Sequence, residues 1–182
     1  TMKRREFLKL RGCFVLSTSI SYKASATLKN LNGENLPNFK LDIRPLTINV
    51  GATKPFKALH ISDTHYTRAT EVENQRKINL ATARQKTFPW AEHYFDMEMD
   101  YARDKNLMVL HTGDLQDFVS EANIEFITEQ LGIGRWYVAA GNHEYSQYVG
   151  EAKEDAAYKA QSYRKVQSAF PNDLTVASQV IN

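Results

Sequence analysis

Three short polar clusters in the 182-residue sequence hold residue types that can bind a divalent metal and move protons. They read SDTHY (62–66), GDLQD (113–117) and GNHE (141–144). Carboxylate, imidazole and amide donors without a thiolate are typical ligands of Mn, Fe or Zn. Asp63 and His65 are two residues apart, and in an extended segment this spacing places both side chains on one face. The clusters therefore predict a metal site, provided that the fold brings them together.

Each cluster follows a short apolar run, which indicates how the fold could do so. The runs cover 56–62, 107–112 and 136–140. Short apolar runs that end at turn residues are typical of strands buried on both faces of a sheet. In open α/β sheets, ligands bind beyond the carboxyl ends of the strands. If the three strands are neighbours, the three clusters meet at one edge.

Helical patterns separate the runs, so the predicted class is α/β. In 89–104 an apolar stripe recurs at helical spacing, and Ser120 is a suitable N-cap for the helix that follows it. One further strand is predicted at 46–50. The predicted helices are 71–86, 89–104, 121–131 and 151–170.

The amino terminus has features of a targeting signal. The stretch KRREFLK (3–9), a short apolar segment and KASA (23–26) resemble a twin-arginine export signal. This resemblance implies a periplasmic or secreted protein that meets the export machinery and keeps no stable membrane anchor. An exposed basic helix start is the alternative. Cys13 suggests lipidation, but Arg11 and the lack of an apolar run before Cys13 argue against that modification.

The charge balance argues against a nucleic-acid partner. Residues 1–26 hold six of the 23 basic and one of the 21 acidic residues, so the remainder has 17 basic and 20 acidic residues. Such a balance offers no basic face. The single cysteine lies inside the predicted signal, so removal of the signal would leave no disulfide and no thiolate ligand.

The order Asp-x-His, Gly-Asp-x-x-Asp, Gly-Asn-His-Glu resembles that of the calcineurin-like metallophosphoesterases over residues 56–182. The resemblance implies a four-layer αββα sandwich, two packed sheets flanked by helices, of which this chain holds the amino-terminal part. It also implies two divalent metal ions (Mn, Fe or Zn) at the strand ends. The expected organisation is a signal (1–26), a polar extension with a strand (27–55) and the incomplete catalytic domain (56–182).

By the same resemblance, a metal-bridging hydroxide attacks the phosphorus of a phosphomonoester or phosphodiester substrate. The implied first-metal ligands are Asp63 and His65, the bridging ligand is Asp114, and the second-metal ligand is Asn142. His143 would assist the leaving group, with Asp117 holding its imidazole. The resemblance implies no role for Glu144.

Departures from the family pattern argue against two branches of the family, the protein serine/threonine phosphatases and the purple acid phosphatases. Phe118 follows Asp117 where the protein serine/threonine phosphatases continue with Arg-Gly, and Asp117 itself stands where purple acid phosphatases carry a tyrosine ligand. The 47 residues between His65 and Gly113 form an insertion. We expect its aromatic residues to cap the site and shape substrate choice, namely Trp90, Tyr94 and Tyr101.

No histidine follows His143, although the family pattern ends with further histidine ligands. We therefore expect those ligands to lie beyond Asn182. His60, His93 and His111 are expected to be structural. Two alternatives stay open: a catalytically inactive binding or scaffold protein with this fold, and a nuclease, against which the acidic balance argues.

Overall fold

The computed structural model of the chain describes residues 20–22, 39–49, 51, 54–150, 155–170 and 172–174. The chain divides into two compact units, Thr1–Phe56 and Lys57–Asn182. In the first unit, β1 (Ile20–Tyr22) pairs antiparallel with β2 (Leu41–Ile43). Most of the predicted export signal lies outside the described residues. In the described part of the chain, no helix combines the length and the apolar character that a membrane span requires.

The second unit is built on a parallel sheet, which confirms the predicted α/β class. Its strands are β3 (Ala58–Ile61), β4 (Met108–His111) and β5 (Trp136–Val138), in the order β3-β4-β5. Ile61 is level with His111, and His111 is level with Val138. The three polar clusters consequently follow their strands at the same edge of the sheet.

Among the residues that the structure describes, four α-helices and one 3-10 turn accompany this sheet. Asn74, Ser120 and Asp155 cap the first, third and fourth helices by accepting a hydrogen bond from a backbone N–H of the first turn, as expected for Ser120. The elements are α1 (Gln75–Thr87), α2 (Ala91–Asp104), α3 (Glu121–Ile133), α4 (Ala156–Gln167) and the 3-10 turn His143–Tyr145.

Aromatic rings from different elements form the centre of the core. Tyr66 and Phe126 stack face to face, and Phe95 packs edge-on against both. Phe95 also stacks on Trp136 at a centroid distance of 6.1 Å. Because Phe95 belongs to α2, this helix of the insertion is part of the core.

One local expectation is wrong and another holds only in part. Residues 46–49 have no regular structure, and Leu46 and Ile48 are each 61% exposed, because the strand lies earlier, in β2. The predicted stripe on α2 coincides with the buried face only at Met97, because Trp90 is 37% and Tyr94 39% exposed. Phe95, which lies outside the stripe, is buried. Aromatic side chains at helical spacing do not show which face meets the core.

Candidate metal centre

Main-chain hydrogen bonds join the first two polar clusters. The N–H of Asp63 donates to the carbonyl of Gly113, and that of His65 donates to the carbonyl of Asp114, both at 3.0 Å. The N–H of Tyr66 donates to Leu115 at 2.9 Å. The two loops thus continue the pairing of β3 with β4 beyond the strands, which fixes the backbone of three predicted metal ligands.

Those three ligands all have left-handed backbone conformations. The φ angles are 57° at Asp63, 47° at His65 and 56° at Asp114. Residues other than glycine rarely adopt such angles, and those that do so often lie at functional sites. Close contact with the third cluster adds a further constraint: a Cβ at Gly113 would lie 2.7 Å from the nitrogen of Gly141.

Glu144, for which the family resemblance implies no role, holds the second and third clusters together. It is fully buried and accepts hydrogen bonds from the backbone N–H groups of Asp114 (2.9 Å), Leu115 (2.9 Å) and Gly141 (2.7 Å). The N–H of Gln116 adds a weaker bond at 3.4 Å. Burial raises the pKa of Glu144 even though these bonds favour its charged form. The carboxylate therefore fixes the main chain around Asp114.

The structure brings Asp63, His65 and Asp114 together as a possible metal site. Each offers one ligand atom, and these atoms lie within 4.8 Å of one another. The Nδ1 of His65 is 3.0 Å from an oxygen of Asp117, which leaves Nε2 directed to the cluster at 4.0 Å from Asp63 Oδ1. A metal-binding histidine commonly bonds a carboxylate through its other nitrogen. The donor set and its orientation fit a divalent ion.

Asp117 is the centre of a charged network on the other side of this cluster. Its carboxylate is fully buried and contacts Arg84 of α1 through two hydrogen bonds, at 2.5 and 2.8 Å. Burial alone would raise the pKa of Asp117, but the hydrogen bonds from His65 and Arg84 lower it below its usual range. The bond to Asp117 in turn raises the pKa of His65.

His143 lies beside this network, and its contacts refine the predicted pairing with Asp117. Its Nδ1 is 2.5 Å from the backbone carbonyl of Asp117 and 3.4 Å from the nearer carboxylate oxygen. Because a carbonyl only accepts, Nδ1 carries the proton. The backbone N–H of His143 donates to Asp114 Oδ1 at 3.0 Å. The His143 ring packs edge-on against the His65 ring, with the ring centroids 4.6 Å apart.

Asn142 lies between Gly141, whose N–H bonds Glu144, and His143, whose backbone N–H bonds Asp114. The Asn142 residue is exposed, and its side chain makes no capping bond to the 3-10 turn. The role of Asn142 as the second-metal ligand therefore stays a prediction. A second acid–histidine cluster, His65–Asp117–His143, is a weaker candidate for a metal, because hydrogen bonds and Arg84 already engage Asp117.

The remaining histidines have structural contacts. His111 is buried; its Nδ1 accepts from the N–H of Gly113 at 3.3 Å, and its Nε2 lies 3.1 Å from the Thr64 hydroxyl. Burial lowers the pKa of His111 to about 4. His60 bonds the hydroxyl of Thr112, and His93 lies on α2 against Tyr94.

Sequence reasoning missed Arg84 and Glu144, which position the site from outside the metal cluster. Arg84 lies in the insertion, 33 residues before its partner Asp117. No feature of the sequence near Arg84 marks it. Glu144 had a signal, since a carboxylate next to a glycine turn at the end of a buried strand has backbone N–H groups within reach.

A comparison with protein-family models matches residues 56–179 to the calcineurin-like phosphoesterases. Searches of curated proteins and of solved structures found no significant match. The matched region covers the parallel sheet, all three polar clusters and the insertion. The chain belongs to the calcineurin-like phosphoesterase family.

Proposed function

We propose that this protein is a metal-dependent hydrolase of phosphomonoesters or phosphodiesters. The observation that carries the proposal is the cluster of Asp63, His65 and Asp114, in which Nδ1 of His65 bonds Asp117 and Nε2 lies 4.0 Å from Asp63 Oδ1. Asn142 would add an amide oxygen for a second ion. When bound, divalent ions acidify water and neutralise phosphoryl oxygens.

The other residues have separable tasks. Asp117 and Arg84 hold the ring of His65, and Glu144 holds the backbone of Asp114. His143 is fixed through Nδ1, so its Nε2 is the atom that would give a proton to the departing alcohol. An inactive scaffold would need none of this arrangement, so the presence of the arrangement favours the enzyme.

The test separates the metal ligand from the proton donor. The full-length protein with Mn²⁺ is expected to hydrolyse nitrophenyl phosphate, and a chelator should abolish the activity. Asp114→Asn should lose metal binding by calorimetry; asparagine tolerates the positive φ of this position, so folding should persist. His143→Asn should keep the metal.

The leaving group adds a sharper readout for His143. Nitrophenolate departs without protonation, whereas an alkyl alcohol needs a proton, so His143→Asn should slow an alkyl ester about 100-fold and the nitrophenyl ester much less. Equal losses on both esters would exclude proton donation by His143. Turnover without metal would refute the whole mechanism.

A further inference from the structure

A pocket of about 350 Å³ opens beside the candidate metal centre, and nothing described so far uses it. Asp63 and His65 belong to its wall on the metal side. The opposite wall comes from the insertion, from the end of α1 to the second turn of α2. A group bonded to a phosphorus atom at the metal centre would enter this pocket. Its aromatic lining consists of Phe88, Trp90, Tyr94 and Phe95.

One face of α2 supplies four of the twelve residues that line the pocket. Ala91, Tyr94, Phe95 and Glu98 follow each other at i, i+3, i+4 and i+7, which places them on the same side of the helix. Phe95 is anchored in the core, whereas Tyr94 keeps 39% of its surface exposed. The pocket therefore has a rigid floor and an accessible aromatic rim.

Two carboxyl groups line the pocket. Asp63 and Glu98 line it, and among the described residues no lysine or arginine does so. Arg84 contacts the Phe88 ring, but its charge is paired with Asp117. The Oε2 atom of Glu98 is buried and has no hydrogen-bond partner among the described residues. Burial raises the pKa of Glu98 to about 7, and a cation bound nearby would favour its charged form.

We propose that this pocket binds the alcohol part of the substrate and that this alcohol carries an organic ammonium group, as in a choline ester. Aromatic faces with an adjacent carboxylate are the established complement of such cations. The inference rests on the proposed function. In the reaction, water supplies oxygen to phosphorus and the bond from phosphorus to the alkoxy oxygen breaks. One proton of the water goes to the departing amino alcohol and the other to phosphate.

The kinetic test uses two esters of the same shape and different charge. Phosphocholine carries a quaternary nitrogen where 3,3-dimethylbutyl phosphate carries carbon. With Mn²⁺ and the full-length protein, we expect kcat/KM to favour phosphocholine about tenfold. Glu98→Gln should remove this preference, by lowering kcat/KM for phosphocholine more than for the neutral ester. Glu92→Gln, on the same helix but outside the pocket lining, is the matched control and should keep the preference.

A binding measurement distinguishes failure of the pocket from failure of the enzyme. Choline should change the fluorescence of Trp90, whereas 3,3-dimethylbutan-1-ol should do so only at about tenfold higher concentration, and Trp90→Phe should remove the signal. If neither ester is hydrolysed but choline binds selectively, the proposed function fails and the pocket assignment survives. Equal use of the two esters by an active enzyme, a Glu98→Gln variant that keeps the preference, or a stronger preference for a nucleoside monophosphate would overturn the inference.

Discussion

The candidate metal centre has two sides, and each contains a fully buried carboxylate with different partners. On the Glu144 side, formed by 113–116 and 141–144, the carboxylate accepts only from backbone N–H groups. On the Asp117 side, formed by Asp117, His65, His143 and Arg84, the carboxylate bonds charged or ionisable side chains. The first arrangement fixes the course of the chain, and the second fixes the orientation of rings.

The pKa shifts of the two carboxylates reflect this difference. Burial raises the pKa of Glu144 by more than the hydrogen bonds from backbone N–H groups lower it. For Asp117, the bonds from His65 and Arg84 outweigh burial and lower the pKa. The Glu144 side should therefore control stability, whereas the Asp117 side should control metal affinity and proton transfer.

The largest effect is expected from removal of Glu144. In Glu144→Ala the N–H groups of Asp114, Leu115 and Gly141 lose their acceptor inside the protein, and each unsatisfied group costs roughly 1–3 kcal/mol. We expect the free energy of unfolding to fall by about 4 kcal/mol, measured by urea denaturation of the metal-free protein.

A control of the same type separates this effect from a general loss of charge. Glu129 is exposed on α3, so Glu129→Ala should change the unfolding free energy by less than about 0.5 kcal/mol. A Glu144→Ala protein as stable as Glu129→Ala would show that the buried carboxylate does not hold the two clusters together.

The next effect concerns pH and His111, which also supports the Glu144 side. Its neutral ring accepts from the Gly113 N–H, and protonation would place two donors against each other. The pKa is about 4 in the folded state against 6.5 for an ordinary histidine, so the folded state disfavours the proton. The stabilisation is complete above about pH 6.5 and is lost as the pH falls towards about 4.

Between about pH 8 and about pH 5, this single group should cost about 2 kcal/mol of unfolding free energy. His111→Asn keeps an acceptor for Gly113 but does not titrate. Urea denaturation at both pH values should give a smaller loss for the variant than for the unmodified protein, by that amount. Identical losses would mean that His111 is protonated as easily in the folded protein as in the unfolded chain.

The sequence predicts the strand ends of the site better than it predicts the buried side chains around them. The strand ends were predictable, because apolar runs that stop at Gly-Asp or Gly-Asn have few alternatives in an α/β chain. Parallel pairing in near-level register then brings Asp63, His65 and Asp114 together. The side chain of Glu144 was not predictable in the same way, because its partners lie about 30 residues earlier, and only the folded loops bring their N–H groups to it.

The insertion was the least predictable region. Its helices were recognisable from spacing, but Trp90, Tyr94 and Phe95 are all aromatic, and spacing alone cannot assign one to the core and two to the rim of a pocket. Arg84 is similarly hidden, since arginine on a helix is usually solvated. Its contact with Asp117 depends on the position of α1 beside the site.

The smallest effect expected, and the sharpest test of the Asp117 side, comes from Arg84→Lys. Lysine keeps the positive charge but cannot form the paired bonds of a guanidinium with the carboxylate. The unfolding free energy should fall by only about 1 kcal/mol, because the charge pair survives. Metal affinity should fall about threefold, since a less firmly held Asp117 orients His65 less well.

Arg103→Lys, at an exposed pair with Asp100, should change neither quantity. Calorimetric titration with Mn²⁺ decides the matter: a variant that loses stability but binds metal as tightly as the unmodified protein would make Arg84 a purely structural residue, and the two sides of the centre would then not differ in the way their contacts suggest.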